Sequence, residues 1–263
     1  MRRTTLSCLV LLLVGGCAGY VDEDGTAVAS DELGRGTELV YENCYEHVAA
    51  FRVPITTLSA LVGQPLPTGY AYRTFDPART IGQLVASAVE CDQGGHTVTD
   101  VWVHVVVLPP PGSVLRQLRV RHYTSSPQTR ARFGLFCFGD VTGTGEVVMS
   151  NTILPTGNRT GYAYGSDGVG SVELTTSVTP ATTVIPPVTI QQFTVQESAV
   201  HGVVEYVVDG GNQLAGPPAT LKIDGTTITG GLGSLHVFPA AGASFTWSFH
   251  GLTSCAPGLD WQG

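Results

Sequence analysis

Arginines are concentrated in one stretch of the sequence that holds no acidic residue. Positions 101–139 contain no Asp or Glu, and their basic residues are Arg116, Arg119, Arg121, Arg130 and Arg132. If residues 115–123 form a strand, alternation places Arg119, Arg121 and Tyr123 on one face. Converging guanidinium groups can hold a carboxylate through paired hydrogen bonds. The interpretation that we favour is a solvated strand face, with Arg130 and Arg132 near the dipole of a helix C-terminus, and the anion site is the alternative.

A ligand at this face would be an amphipathic acid, with its head near Arg119 or Arg121 and its tail in an apolar pocket. His104 lies between apolar residues on the neighbouring strand, where a satisfied core histidine is expected and a ligand-binding role is the alternative. The sequence has no GxSxG elbow, no HExxH motif and no close pair of histidines. It therefore predicts no catalytic residues, no metal site and no cofactor.

Four cysteines follow the N-terminal region, namely Cys44, Cys91, Cys137 and Cys255. Their wide spacing matches no CxxC zinc or redox motif. An even number of cysteines in an exported chain predicts two disulfides, although sequence alone leaves three connectivities open. Among these we favour Cys44 with Cys91 and Cys137 with Cys255.

The N-terminus has the pattern of an export signal. Two arginines precede a short apolar run that is too short to cross a bilayer as a helix. The stretch Val14-Gly15-Gly16-Cys17 resembles the lipobox of bacterial lipoproteins. That resemblance implies cleavage before Cys17, diacylglycerol on its thiol and stable anchoring to the cell envelope. Ala18 follows the cysteine, so the resemblance implies the outer membrane in a Gram-negative cell.

The sequence therefore predicts three segments. Residues 1–16 are the signal peptide, residues 17–36 an acidic flexible tether, and residues 37–263 one β-rich globular domain. Eight acids and one arginine lie between Ala18 and Glu46, which favours a solvated segment at the start of the mature chain.

Strand patterns dominate the globular part. Residues 100–108 are apolar on both faces and predict a central strand, while residues 172–178 and 245–249 alternate. Residues 200–208 form another apolar run, and Asp224-Gly225 predicts a two-residue hairpin. Residues 80–91 fit either periodicity, and we predict a strand. The fold class is mainly β, as a barrel or a sandwich, with two or three short helices.

Two helices have recognisable ends. Ser126 predicts an N-cap, Pro127 the first helical position and Gly134 the residue past the end, which gives a helix over 127–133. A second helix is predicted over residues 57–62, between Thr56 and Gly63.

From about residue 50 to residue 140, the order of elements resembles that of acetoacetate decarboxylase-like proteins. The runs that carry this resemblance are Arg52-Val53-Pro54, Leu66-Pro67-Thr68-Gly69-Tyr70, His122-Tyr123-Thr124-Ser125-Ser126 and Phe133-Gly134-Leu135-Phe136. The resemblance implies a β-rich fold with a cone-shaped barrel, or double barrel, around a pocket.

The resemblance also implies a Schiff base on one of two adjacent lysines soon after the last of these runs. This chain reads Cys137-Phe138-Gly139-Asp140 there, and its single lysine is Lys222. Lys222 alternates with Leu221 and Ile223, so we expect a solvated side chain. A Schiff-base lysine instead needs desolvation or a neighbouring cation.

Composition excludes two broad classes. Hydrophobic residues make up 43% of the chain and charged residues 13%, so it can bury a core and is not disordered. A net charge of −8 argues against a nucleic-acid partner. We expect an exported, lipid-anchored, non-catalytic protein that binds a small amphipathic or anionic ligand or an envelope partner. The alternative is an enzyme, a lyase or a relative, of acetoacetate decarboxylase-like fold with a non-lysine mechanism. Oligomeric state is left open.

Overall fold

A computed structural model describes residues 38–250, except for residues 136–137, 139–141, 144, 180–181, 186–187, 209–210 and 238–243. The signal peptide, the tether, Cys17, Cys137 and Cys255 lie outside the described residues. The helices are α1 (Ile55–Val62) and α2 (Pro127–Leu135). The strands are β1 (Glu38–Pro54), β2 (Ala71–Tyr72), β3 (Ile81–Gln93), β4 (His96–Leu108), β5 (Gln117–Thr124), β6 (Thr142–Gly143), β7 (Glu146–Ile153), β8 (Arg159–Ser166), β9 (Ser171–Val178), β10 (Thr182–Ile185), β11 (Val188–Gln196), β12 (Ala199–Val208), β13 (Gly211–Ile223), β14 (Thr226–Val237) and β15 (Ser244–His250).

Seven of the described strands close into a barrel. The order around the ring is β1, β3, β4, β5, β11, β12 and β15, and β15 returns to β1. Neighbours are antiparallel except β5 and β11, which pair in parallel through Gln117–Gln192 and Leu118–Phe193. The mainly β class is confirmed, and within the described part the architecture is a barrel with an attached sheet.

The attached sheet branches from β1. Residues 38–42 of β1 pair with β15, whereas residues 45–50 pair with β14. From β14 the sheet continues through β13, β9, β8 and β7. It packs on the outer face of the barrel, where Leu84, Val103, Leu174 and Leu221 are buried in one apolar core. This core gives the barrel a rigid wall behind its own interior.

Strand β4 is the centre of the molecule. Every residue from Val98 to Val107 is buried, because one face lines the barrel interior and the other meets the attached sheet. The predicted central strand is confirmed, and residues 80–91 lie in β3 as predicted. The alternation of residues 172–178 is also confirmed, since Val172, Leu174, Thr176 and Val178 are buried in β9.

The predicted hairpin turn is confirmed at Asp224 and Gly225. Their φ values are 47° and 82°, the positive pair that a type I′ turn requires. Residues 200–208 lie in β12 and residues 245–249 lie in β15, so both segments are strands as predicted.

Both predicted helices exist, but their limits differ. The Ser126 hydroxyl accepts a hydrogen bond from the Thr129 N–H at 3.1 Å, so the N-cap is confirmed. Gly134 lies inside α2, and the chain leaves the helix through a bond from the Phe138 N–H to the Phe133 carbonyl. The prediction that Gly134 follows the helix is therefore wrong.

Helix α1 begins two residues earlier than predicted. It starts at Ile55 directly after Pro54, whose φ of −56° already suits a helix entry, and no side-chain cap is used. Gly63 ends the helix in a left-handed conformation with φ of 73°, as predicted.

A disulfide joins Cys44 to Cys91 across β1 and β3, which confirms the favoured pairing for these two cysteines. Neither described helix is long and apolar enough to cross a membrane.

Candidate functional site

The barrel encloses a cavity of about 290 Å³, close to the lower limit for ligand pockets in proteins. Side chains from β1, β3, β4, β5, β11 and β12 line it, together with residues that flank β2 and β5. The lining residues are Glu46, Val48, Arg73, Gln83, Val85, Ser87, Trp102, His104, Val106, Arg116, Gln117, Ile190, Gln192 and Tyr206.

Two exposed arginines stand at the mouth of this cavity. The Arg73 N–H donates to the Val106 carbonyl at 3.1 Å, and the Arg116 carbonyl accepts from the Val107 N–H at 2.9 Å. Both residues are therefore fixed to the end of β4, one on each side of it. Their guanidinium groups make the entrance cationic, and they suit a carboxylate that enters from solvent.

His104 lies further inside, on β4. Its side chain is 3% exposed, and neither ring nitrogen has a hydrogen-bond partner among the described residues. Burial, followed by the charge of Arg119, lowers the pKa of His104 to about 3. The residue is buried as the sequence predicted, but it is not the satisfied core histidine that was expected. A neutral imidazole offers a ligand one donor and one acceptor.

Glu46 and Tyr206 lie deeper along the cavity wall. Glu46 is 2% exposed and Tyr206 is 3% exposed. Burial, and then the charge of Glu46 and a hydrogen bond with it, raises the pKa of Tyr206 well above its ordinary value. The cavity therefore joins a cationic mouth to an interior that holds a carboxyl group.

Arg119 supports the cavity from behind and is not among its lining residues. Its Nε donates to Gln192 Oε1 at 2.9 Å, and Gln192 Nε2 in turn donates to Gln117 Oε1 at 2.9 Å. Both amides line the cavity. Arg119 thus holds two glutamines in place, and the head group predicted near it would have to displace Gln192.

His122 bridges the buried charges of Arg119 and Asp100. Arg119 Nη1 donates to His122 Nδ1 at 3.0 Å, and His122 Nε2 donates to Asp100 Oδ1 at 3.0 Å. Because arginine can only donate, the imidazole is neutral with its proton on Nε2. Burial, and then the charge of Arg119, lowers the pKa of His122 to about 4.

Aromatic rings surround the Arg119 guanidinium. Its Cζ lies 4.9 Å from the centroid of Phe133, 5.5 Å from that of Trp102 and 5.7 Å from that of Phe138. Burial lowers the pKa of Arg119 to about 9, which leaves the group charged at neutral pH. Ring faces and hydrogen bonds replace the water that this cation loses.

The predicted common face of Arg119, Arg121 and Tyr123 is wrong. A register shift in the pairing of β4 with β5 makes Val120 an extra residue, so that Arg119 lies opposite His104 while Arg121 lies opposite Val103. Because of this bulge Arg119 faces the barrel interior and Arg121 faces the attached sheet. The Arg121 side chain is 34% exposed and pairs with Asp224 at 3.1 Å.

Tyr123 lies on the same side as Arg121, in the apolar core between barrel and sheet. Burial, and then the charge of Asp167, raises the pKa of Tyr123 to about 12. Neither Arg121 nor Tyr123 lines the cavity.

Lys222 is exposed on β13, opposite Thr227 in the hairpin, as predicted. Since the sequence holds no other lysine, no lysine lines the cavity. Within the described ranges, no three His, Cys, Asp or Glu side chains converge where they would hold a metal ion.

Sequence reasoning missed Glu46, Arg73, Gln192 and Tyr206. Glu46 could have been found, because an acid between Cys44 and Val48 falls on the buried side of an alternating strand. Arg73 lies in a loop and carries no such signal. Arg116 belongs to the acid-free arginine segment but was not singled out there.

No protein-family model matches the chain, and no curated protein matches it in sequence. Solved structures do resemble it. The enduracididine biosynthesis enzyme MppR with HEPES buffer bound has a TM-score of 0.54 at 12% identity, with 94% of this chain and 99% of MppR covered. MppR complexed with pyruvate has a TM-score of 0.54 at 14% identity, with 90% and 97% covered.

An acetoacetate decarboxylase-like enzyme from Sphingomonas wittichii RW1 has a TM-score of 0.48 at 9% identity, with 90% of this chain and all of that chain (100%) covered. Acetoacetate decarboxylase-like enzymes are therefore also among the solved structures that the chain resembles. The two MppR structures, with TM-scores of 0.54, indicate a shared fold, and identities of 12–14% leave the chemistry to the residues of this chain.

Proposed function

We propose that the barrel binds a small organic acid, whose carboxylate is held by Arg73 and Arg116 at the mouth and whose remaining atoms reach His104. The observation that carries this proposal is one cavity that connects two arginines to a buried imidazole with no partner among the described residues. A pyruvate complex of a protein with the same fold supports a carboxylate as the ligand. The head group is therefore assigned to Arg73 and Arg116 in place of Arg119 and Arg121.

Calorimetric titration with pyruvate and longer 2-oxo acids tests the proposal. Arg73→Gln and Arg116→Gln should each weaken binding by roughly tenfold or more, because a charge-assisted hydrogen bond contributes about 1.5–3 kcal/mol. Arg159→Gln on β8 removes the same charge away from the cavity and should leave binding unchanged. Equal affinities for the wild type and the mouth variants would reject the proposal.

A second candidate is an enzyme that enolises such an acid without a Schiff base. It is favoured by the presence of Glu46 and neutral His104 in one cavity, and by a fold that the chain shares with enzymes. A proton would pass from the carbon beside the ligand carbonyl to the Glu46 carboxylate. The C–H electron pair would form the C=C bond of the enolate, and the C=O π pair would move to the carbonyl oxygen, which accepts a hydrogen bond from the His104 N–H. A neutral imidazole can polarise a carbonyl in this way.

Deuterium exchange into pyruvate, followed by proton NMR in D₂O, separates the two candidates. An enzyme should lose exchange in Glu46→Gln and keep it in Lys222→Arg. Borohydride trapping in the presence of pyruvate should leave no adduct on Lys222, because that side chain is exposed outside the cavity. Absence of exchange leaves the binding role alone, whereas an adduct on Lys222 would contradict the non-lysine mechanism.

The chain is further proposed to be exported and anchored through acylated Cys17. This rests on the lipobox-like sequence and on nothing in the described residues. In cell fractionation with a high-salt wash, which releases proteins held on membranes by charge alone, the wild type should sediment with membranes, and Cys17→Ala should move to the soluble exported fraction. Unchanged sedimentation would refute the anchor.

A further inference from the structure

The mouth of the barrel is surrounded by a basic rim. The rim consists of the end of β1, the end of β4 and the loops at residues 73–80 and 109–116. Its exposed cations are Arg52, Arg73, Arg79 and Arg116. Asp76 is the only acid in the sequence between positions 47 and 89, and positions 101–139 have none. A chain with a net charge of −8 thus places a third of its twelve arginines around one opening.

Exposed apolar side chains lie among these arginines. Phe75 is 42% exposed, Leu108 is 51% exposed and Val114 is 60% exposed. The guanidinium carbons of Arg52 and Arg73 lie 5.0 Å and 5.6 Å from the centroid of the Phe75 ring. Cations and apolar groups therefore share one surface.

The rim is tied to the barrel. Ala71 pairs with Leu108 where β2 meets β4, and the Phe75 N–H donates to the Ile81 carbonyl at 3.1 Å. The Asp76 carboxylate accepts hydrogen bonds from the backbone N–H groups of Thr80 and Ile81. These bonds connect the two ends of the loop at residues 76–81. The arginines are thus presented on a braced surface.

We propose that this rim docks on an anionic lipid surface, so that the cavity opens toward the membrane. Anionic headgroups attract arginines near the bilayer plane, and Phe, Leu and Val side chains gain free energy by entering the interface. A nucleic acid fits less well, because its backbone needs a longer basic track and would place phosphates against exposed Leu108 and Val114. The proposal requires neither the acyl chain on Cys17 nor a ligand in the cavity.

Vesicle co-sedimentation of the full chain carrying Cys17→Ala tests the rim. Vesicles of phosphatidylcholine and phosphatidylglycerol in equal amounts are compared with pure phosphatidylcholine. The pair Arg52→Gln and Arg79→Gln removes two rim charges without touching the cavity lining. Each charge contributes about fivefold near an anionic bilayer, so the pair should lower partitioning by roughly 25-fold.

The matched control is the pair Arg159→Gln and Lys222→Gln, which removes the same charge from the attached sheet. It should bind vesicles as the parent does. All these proteins carry the same N-terminus, so lipid binding through that segment cancels in the comparison. Leu108→Ser with Val114→Ser gives a second reading, since it should weaken binding without changing its salt dependence.

Three results would overturn the proposal. The first is no preference of the parent for anionic vesicles, and the second is an equal loss in the rim pair and the control pair. The third is rim-dependent binding of duplex DNA without vesicle binding, which would assign the surface to a polynucleotide.

Discussion

Replacing His104 by leucine should raise the free energy of unfolding and abolish binding of the proposed ligand. The imidazole is 3% exposed, and its two nitrogens have no hydrogen-bond partner among the described residues. A buried polar group without a partner costs about 1–3 kcal/mol, whereas leucine occupies a similar volume at no such cost. At pH 7 we therefore expect His104→Leu to raise the free energy of unfolding by about 1 kcal/mol, and to abolish binding of an organic acid.

Acidification should widen this difference. The folded-state pKa of His104 is about 3, below its ordinary value of 6.5, so the unfolded chain takes up the proton first as pH falls. Proton uptake by His104 in the unfolded chain therefore lowers the free energy of unfolding progressively as the pH falls from about 6.5 toward 3. Between pH 7 and pH 5 the wild type should lose about 2 kcal/mol through this group, since each pH unit corresponds to about 1.4 kcal/mol. The leucine variant loses none of it.

Urea unfolding of both proteins at several pH values measures the effect. The quantity of interest is the difference between wild type and variant, because the carboxylates titrate in both and cancel. His96→Leu is the matched control, since it makes the same substitution at an exposed position at the start of β4, away from the cavity. A His104→Leu difference that stays constant from pH 7 to pH 5 would refute a histidine held neutral by burial.

Four further variants test the framework. Arg119→Met should lower the free energy of unfolding by about 3–5 kcal/mol because it leaves a buried acid without its cation, and Arg121→Met by under about 1 kcal/mol; equal urea midpoints would contradict this. Cys44→Ser with Cys91→Ser should cost about 4 kcal/mol for a loop of 47 residues, and the variant should respond less to reductant than the wild type does. Gly134→Ala should stabilise α2 by about 0.5–1 kcal/mol in thermal unfolding. A decrease in stability would instead support the prediction that Gly134 ends the helix in a left-handed conformation.

Local patterns were sufficient for most elements of the fold. Alternation predicted β9, continuous apolar character predicted β4, and Asp224-Gly225 predicted a turn, because each depends on neighbours in sequence. The ends of the helices were less certain. Gly134 lies inside α2, is exposed, and has no atom within 4 Å of the position that a Cβ would occupy, so no local signal separated it from a terminal glycine.

The faces of β5 could not be read from alternation. Leu118 and Val120 are both buried and apolar, so the sequence gives no sign that Val120 is an extra residue. The bulge depends on how β4 lies against β5, which is a tertiary property. One additional residue moved Arg121 to the opposite side of the sheet from Arg119 and removed the predicted arginine pair.

The candidate site depends on ring closure. Glu46, Arg73, His104 and Gln192 come from β1, a loop, β4 and β11, and they meet only because β15 pairs with β1 and β11 pairs with β5. The second of these contacts is parallel and involves two residue pairs. No periodicity within a segment reports such a pairing, so sequence reasoning could propose a barrel without saying which polar residues face its interior.

The polar interior is itself an argument for a ligand. A barrel that served only as a structural element would be more stable if Arg119, Asp100 and His122 were replaced by well-packed apolar residues, since buried charge pairs seldom repay their desolvation. Here Arg119 holds Gln192 at the cavity wall, and His104 adds a buried polar group with no partner among the described residues. Such departures from the most stable sequence concentrate at functional sites. The polar interior of the barrel is therefore the feature of the described structure that supports the proposed ligand site.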